Sequence, residues 1–263
     1  MLTPLLFLLQ SVTPFGSPVD PILTPRNESR SSLAEGRFNQ CVDLAIDDPA
    51  AGISEANQWR IEGGTFLARH CLGFAYAEQG NWALASKAFV EAAREAEVVR
   101  YERTANFWAQ AGNAALADGK AEDALSYLNA ALVQGTLKEL DKGEVHLDRA
   151  RAYVALEQYD AAKTEFIQVH ALAPQDPLGW LLSATLARRT GDLEQAKKDI
   201  ERASRLAGAD PAVALEAGNI AYKAGDTVGA KANWEQAVKL NADSTPAKAA
   251  SRYLAQLVTS VEE

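Results

Sequence analysis

Cysteine and histidine are scarce. Two cysteines, Cys41 and Cys71, exclude a disulfide-rich mini-fold and any four-cysteine zinc site. The three histidines, His70, His146 and His170, stand far apart and show no HxxxH or HExxH spacing, so the sequence calls for no metal. Basic charge is also short. Twenty-six Lys and Arg face 35 Asp and Glu, for a formal net charge of −9 and a pI near 5.0. An acidic chain lacks the Lys/Arg footprint that nucleic acid and anionic lipid require, so no nucleic-acid partner is expected. No stretch approaches the ~20 apolar residues of a membrane span. There is no GxSxG, no Walker-type loop and no carboxylate–histidine pair at catalytic spacing. Gly63-Gly64 has neither a strand before it nor a lysine in register after it, and reads as a helix stop. The residues therefore predict a non-enzyme with no cofactor.

The N-terminal run Met-Leu-Thr-Pro-Leu-Leu-Phe-Leu-Leu has the character of a secretory h-region and predicts export. No Lys or Arg precedes it and no A-x-A site follows, so a plain N-terminal tail on a cytoplasmic protein is the alternative. Residues 13–32 hold Pro14, Pro18, Pro21 and Pro25, which predicts an extended leader through residue 32. Asn27-Glu28-Ser29 has glycosylation spacing, a match too short to carry weight.

From Leu33 the pattern is helical, and no run reads as a strand. Two short helices, one over 33–46 and one over 50–61 with Trp59, predict a cap pair within 33–64. A repeat follows over 65–243. Its copies run Leu72-Gly73, Tyr76, Gly80, Trp82, Ala85, Phe89; then Trp108, Gly112, Gly119, Ala124, Leu128; then Ala150, Tyr153, Tyr159, Ala162, Phe166, Pro174; then Trp180, Ala184, Gly191, Ala196, Ile200; and last Gly218, Gly225, Ala230, Trp234. The small residue at the eighth position recurs at Gly73, Gly112, Ala150, Ala184 and Gly218, in steps of 39, 38, 34 and 34 residues. The longer steps imply insertions near Arg100–Thr104 and Glu139–Lys142. Glycine marks the inter-helix turn in every copy but the third, where Glu157 stands, which predicts a turn closed differently. A terminal amphipathic helix in 244–263, with Tyr253, Leu254 and Leu257 on one stripe, predicts a cap for the last apolar face.

These motifs resemble the tetratricopeptide repeat family. The resemblance implies an all-α solenoid of about five helical hairpins between an N-terminal helical cap pair and a C-terminal capping helix. It implies a scaffold that holds another protein or peptide in a concave groove. Trp82, Trp108, Trp180 and Trp234 are expected in the core. Carried onto this chain, the family's groove positions are His70, Asn106, Asn113, Arg151, Arg188, Arg189, Asn219 and Lys223, opposed by Glu78 and Glu144. The groove is thus expected to lean basic and to suit an extended acidic segment. The first repeat departs from the family's carboxylate clamp, with His70 and Phe74 where that clamp has Lys and Asn. A subunit that self-assembles through its solenoid faces is the alternative reading.

Cys41 falls on the cap and Cys71 on the first repeat. They read either as two small buried hydrophobes or as a disulfide between cap and repeat, which needs an oxidising compartment such as a periplasm. Such a bridge is expected to stabilise the fold by about 3.5 kcal/mol through loop-closure entropy.

Overall fold

The computed structural model describes residues 25–259, and every regular element among them is an α-helix. A cap pair, α1 (Pro25–Asp47) and α2 (Pro49–Ile61), is followed by five hairpins. These are α3 (Phe66–Glu78) with α4 (Trp82–Val98), α5 (Thr104–Ala117) with α6 (Ala121–Val133), α7 (Glu139–Ala155) with α8 (Tyr159–Leu172), α9 (Pro177–Thr190) with α10 (Leu193–Leu206), and α11 (Pro211–Lys223) with α12 (Thr227–Leu240). The single helix α13 (Thr245–Thr259) closes the stack. The N-terminal apolar run lies outside the described residues.

Short polar residues start many of these helices. Asp48, Asn81, Asp176, Asp192, Asp210 and Asp226 each accept a backbone N–H of the first turn, at 2.7–3.3 Å. Pro49, Pro177 and Pro211 follow such a cap directly, where a missing N–H costs nothing. The same logic corrects the expected leader. Pro25 opens α1, so residues 25–32 are helical rather than extended.

The eighth-position rule works through a partner sixteen residues on. A Cβ on Gly73 would lie 2.5 Å from the Phe89 ring, one on Gly112 2.6 Å from Leu128, and one on Gly218 2.4 Å from Trp234. In these three hairpins the first helix must be bare here so that the large residue of the second can pack against it. Each insertion lengthens one helix. α4 and α7 have 17 residues, whereas the other helices of the hairpins have 13 or 14. The turn at Glu157 is not closed differently, contrary to the sequence reading. Glu157 adopts φ 59°, like Gly80 at 71°. The N–H of Gln158 reaches the carbonyl of Tyr153 at 2.8 Å, as that of Asn81 reaches Tyr76 at 2.8 Å. Side chain and all, the glutamate takes the left-handed conformation that glycine takes elsewhere.

The core runs along the stack as successive clusters. One extends from Phe38 to Val145, the next centres on Leu147, Phe166 and Leu186, and two more follow around Ile200 and Trp234. Each hairpin buries its face only against its neighbours. Trp108 and Trp234 are buried and Trp180 half-buried. Trp82 corrects the expectation for it: at the start of α4 it remains 36% exposed.

Candidate functional site

First helices of neighbouring units pack on one another, α5 on α7, α9 on α11 and α11 on α13, more extensively than any second helices do. They therefore form the inner side of the stack. The sixth position of each hairpin, two residues before the small one, reaches back to the preceding unit. Cys71 is bonded to Cys41 of α1, with Cα atoms 6.1 Å apart. Gln110 accepts a hydrogen bond from His70 Nε2. Asp148 accepts from Asn113 Nδ2 at 3.0 Å. Leu182 packs against the core cluster that Leu147, Ala150 and Phe166 of the preceding hairpin build. Glu216 takes the Arg188 guanidinium on both oxygens, at 2.6 and 3.2 Å.

This clasp redistributes the predicted groove residues. His70 is corrected out of the groove. It is 2% exposed, stacked on Phe38 at 5.1 Å and wedged against Phe107 and Phe89. Burial pushes its pKa down to about 4. The basic lean is corrected too. Arg188 is committed to Glu216 and Arg151 to Asp148 at 2.8 Å. Arg189 lies over the Tyr159 ring, 5.9 Å from its centroid. Asn106 and Asn113 do share a cavity, of about 210 Å³, but Asp141, Glu144 and Asp148 line its other side. Burial, and then Asp141, Asp148 and Asp176, raise the pKa of Glu144.

Arg188, Asn219 and Lys223 come together elsewhere. With Tyr222, Trp234, Tyr253, Gln256 and Leu257 they line a cavity of about 620 Å³ at the C-terminal end of the stack. Its floor is Trp234, only 3% exposed. Tyr222 and Tyr253 flank that ring at 5.6 and 5.2 Å and stay 54% and 39% exposed. One polar chain fixes the floor. Trp234 Nε1 donates to Asn219 Oδ1 at 3.1 Å, and Asn219 Nδ2 donates to Glu216 Oε2 at 3.2 Å. Glu216 in turn holds Arg188. Lys223 Nζ donates to the Arg188 carbonyl at 2.9 Å and enters no ion pair among the described residues. The site thus offers two exposed aromatic walls, an apolar floor and one ammonium with donors to spare.

The sequence reading missed Tyr222 and the contribution of α13. The signal for Tyr222 was present, because the register that names Arg188 at the twelfth position names Tyr222 one hairpin later. Tyr253, Gln256 and Leu257 belong to a helix outside the repeat, so no repeat position points to them. Among the described residues no helix is long and apolar enough to cross a membrane, and no three His, Cys, Asp or Glu gather as a metal set.

No curated protein matches the sequence. Several solved structures share the fold at low identity. Pseudomonas aeruginosa PilF is 15% identical over 84% of this chain and 99% of its own, with a TM-score of 0.64. PilW, a type IV pilus biogenesis factor, is 14% identical over 82% of this chain and 97% of its own, with a TM-score of 0.70. The quorum sensor NprR of B. thuringiensis, in its apo form, is 14% identical over 88% of this chain and 74% of its own, with a TM-score of 0.68. The model of the tetratricopeptide repeat matches residues 72–138 and 147–214, just over half of the chain. The chain belongs to the tetratricopeptide repeat family.

Proposed function

We propose that this protein is a binding scaffold whose working surface is the cavity between α9, α11, α12 and α13, and that it takes an extended segment of a partner protein carrying an acidic side chain beside an apolar one. The observation that carries this reading is the pairing of Lys223, which has no carboxylate partner among the described residues, with the exposed rings of Tyr222 and Tyr253. A carboxylate satisfies the ammonium, and an apolar side chain between the rings covers Trp234. Arg188 holds the floor in shape rather than meeting the partner, because Glu216 already takes its fork. The apolar N-terminal run and the bond between Cys41 and Cys71 both support placing the protein in an exported, periplasmic setting.

The test is fluorescence anisotropy with a dye-labelled Ser-Phe-Asp-Glu-Glu peptide. Lys223→Glu and Tyr253→Ala are each expected to weaken binding about tenfold, equivalent to about 1.4 kcal/mol, whereas Arg151→Glu changes it little. Added salt should weaken the wild-type complex, because Lys223 is exposed. Equal affinity in all variants would sink the reading.

A second reading, self-assembly, is favoured by Val98, Val133 and Leu140, which are 84%, 83% and 66% exposed. Gln134 donates to Glu97 at 2.5 Å, so the ends of α4 and α6 that carry the two valines are neighbours. Light scattering separates the readings: a scaffold for a separate partner is a monomer, an assembly subunit a stable multimer.

A further inference from the structure

We infer that Glu216 is a positioning residue that sets the charge of the C-terminal cavity: by holding Arg188 it leaves Lys223 as the cation the cavity offers, and so fixes the preference at one carboxylate beside an apolar side chain. This rests on the reading of the cavity given above and assigns its specificity to a residue that does not line it. Arg188 and Lys223 both line the cavity, and two free cations would suit two carboxylates or a phosphoryl group. Glu216, buried on α11, prevents that. Its oxygens take Arg188 Nε and Nη2 at 2.6 and 3.2 Å, and Oε2 also accepts from Asn219 Nδ2 at 3.2 Å. Asn219 in turn accepts from Trp234 Nε1. One carboxylate thus cancels a guanidinium and ties it to the floor.

The repeat supplies an internal comparison. Thirty-four residues earlier stand Val154 for Arg188, Leu182 for Glu216, Thr185 for Asn219 and Ile200 for Trp234. Val154 and Leu182 pack against the core cluster around Phe166. The Thr185 hydroxyl returns to its own helix, donating to the Leu181 carbonyl at 2.9 Å. That junction joins two hairpins with apolar residues where the next one has an ion pair. A buried ion pair seldom stabilises more than apolar residues of similar size, so packing alone gives no reason for Arg188 and Glu216. What sets the later junction apart is the cavity with its exposed tyrosine walls, and there the pair decides how much positive charge a ligand meets. A second acid on the ligand finds no free cation. Among acidic segments, affinity is then ranked by the apolar residue between Tyr222 and Tyr253.

The test titrates the full chain with two dye-labelled, C-terminally amidated peptides, Ser-Phe-Asp-Gly-Ser and Ser-Phe-Asp-Glu-Ser, by fluorescence anisotropy. Wild type is expected to bind them within about threefold of one another, as for an added charge left in solvent. Glu216→Gln frees Arg188 and is expected to favour the two-acid peptide about tenfold, with a steeper loss of affinity as salt rises. Arg188→Gln/Glu216→Gln removes both charges, and is expected to weaken both peptides together and to keep the wild-type ratio. A variant that merely loosens the floor lowers both affinities and leaves the ratio unmoved, so an unchanged ratio in Glu216→Gln overturns the inference. A tenfold two-acid preference in the wild type, or a selective loss of the two-acid peptide in the double variant, overturns it as well, because Arg188 then meets the ligand. These two readings need no Glu216→Gln protein, so they decide the matter even if that variant fails to fold. In each of these failures wild type still binds, and the cavity reading stands. Binding of neither peptide by wild type refutes the cavity reading, and this inference with it.

Discussion

Two residues carry more stress than their neighbours, and each gives a test. Glu157 holds φ 59° at a turn that glycine makes in the other hairpins. A side chain in that region costs about 1–2 kcal/mol, and replacing it with glycine returns part of the gain as added freedom of the unfolded chain. Glu157→Gly is therefore expected to stabilise the protein by about 0.5–1 kcal/mol, read as a higher urea midpoint at unchanged slope. An unchanged or lower midpoint would mean that the glutamate side chain offsets its own strain. His70 is the second. Its folded pKa of about 4 lies below the ordinary 6.5 because burial disfavours the imidazolium. The unfolded chain thus binds the proton first as pH falls. The stability held above pH 6.5 is lost progressively down to pH 4, by about 3 kcal/mol in all. His170 is shifted in the same direction, also by burial. In His70→Phe the plateau above pH 6.5 is lower, since Gln110 loses its donor, but the slope between pH 6.5 and 4 should flatten. A slope identical to wild type would place the acid sensitivity elsewhere.

The element that organises this molecule is the hairpin, and its internal packing was legible in the sequence while its outward contacts were not. The eighth and twenty-fourth positions lie on one hairpin, so Gly73 with Phe89 or Gly218 with Trp234 can be read from spacing alone. The sixth position spends its side chain on the preceding hairpin, and what it meets there depends on a residue about 30 positions away. Counting groove positions therefore gave the cations Arg151 and Arg188 without the acids Asp148 and Glu216 that neutralise them, and set His70 in a groove it does not face. The start of α1 was misread for a related reason: proline content suggests an extended chain, yet a proline at the first helical position is compatible with helix. The hairpin α11–α12 shows how packing and site are joined. Ala150 shares a core cluster with Phe166, and Ala184 one with Ile200, each with its methyl in place, but Gly218 faces the larger Trp234. Gly218→Ala is expected to cost about 1–3 kcal/mol by overpacking. Because Trp234 is the cavity floor, the variant should also weaken peptide binding while remaining folded at low temperature. Loss of stability with unaltered peptide affinity would show that floor and packing are independent.

At the scale of the whole molecule, stability should be distributed rather than shared. The main helix–helix contacts join helices only one or two apart in the chain, so a perturbation at one end ought to fade along the stack. The Cys41–Cys71 bond is the place to apply one. It joins α1 to α3 and both sulfurs lie fully inside the core, while the other ties of α1 include Phe38 and Val42 at the first core cluster, the stack of Phe38 on His70, and the ion pairs of Arg37 with Glu55 and Glu62. Intact mass with and without reductant reports whether the bond forms in native protein, and two freely alkylated thiols would rule it out. Where it forms, Cys41→Ala/Cys71→Ala is expected to remove about 3.5 kcal/mol, the loop-closure contribution. Hydrogen exchange locates that loss. Faster exchange should appear in α1, α2 and α3 and decline through α5, while α9 to α13 keep their protection and the C-terminal cavity keeps its affinity for the acidic peptide. An end hairpin has a single neighbour, so a covalent tie is most useful there, and the opposite end is held by α13 packed on α11 and α12 instead. If protection fell evenly from α1 to α13, these helices would be unfolding as one cooperative unit, and the nearest-neighbour account of this solenoid would fail.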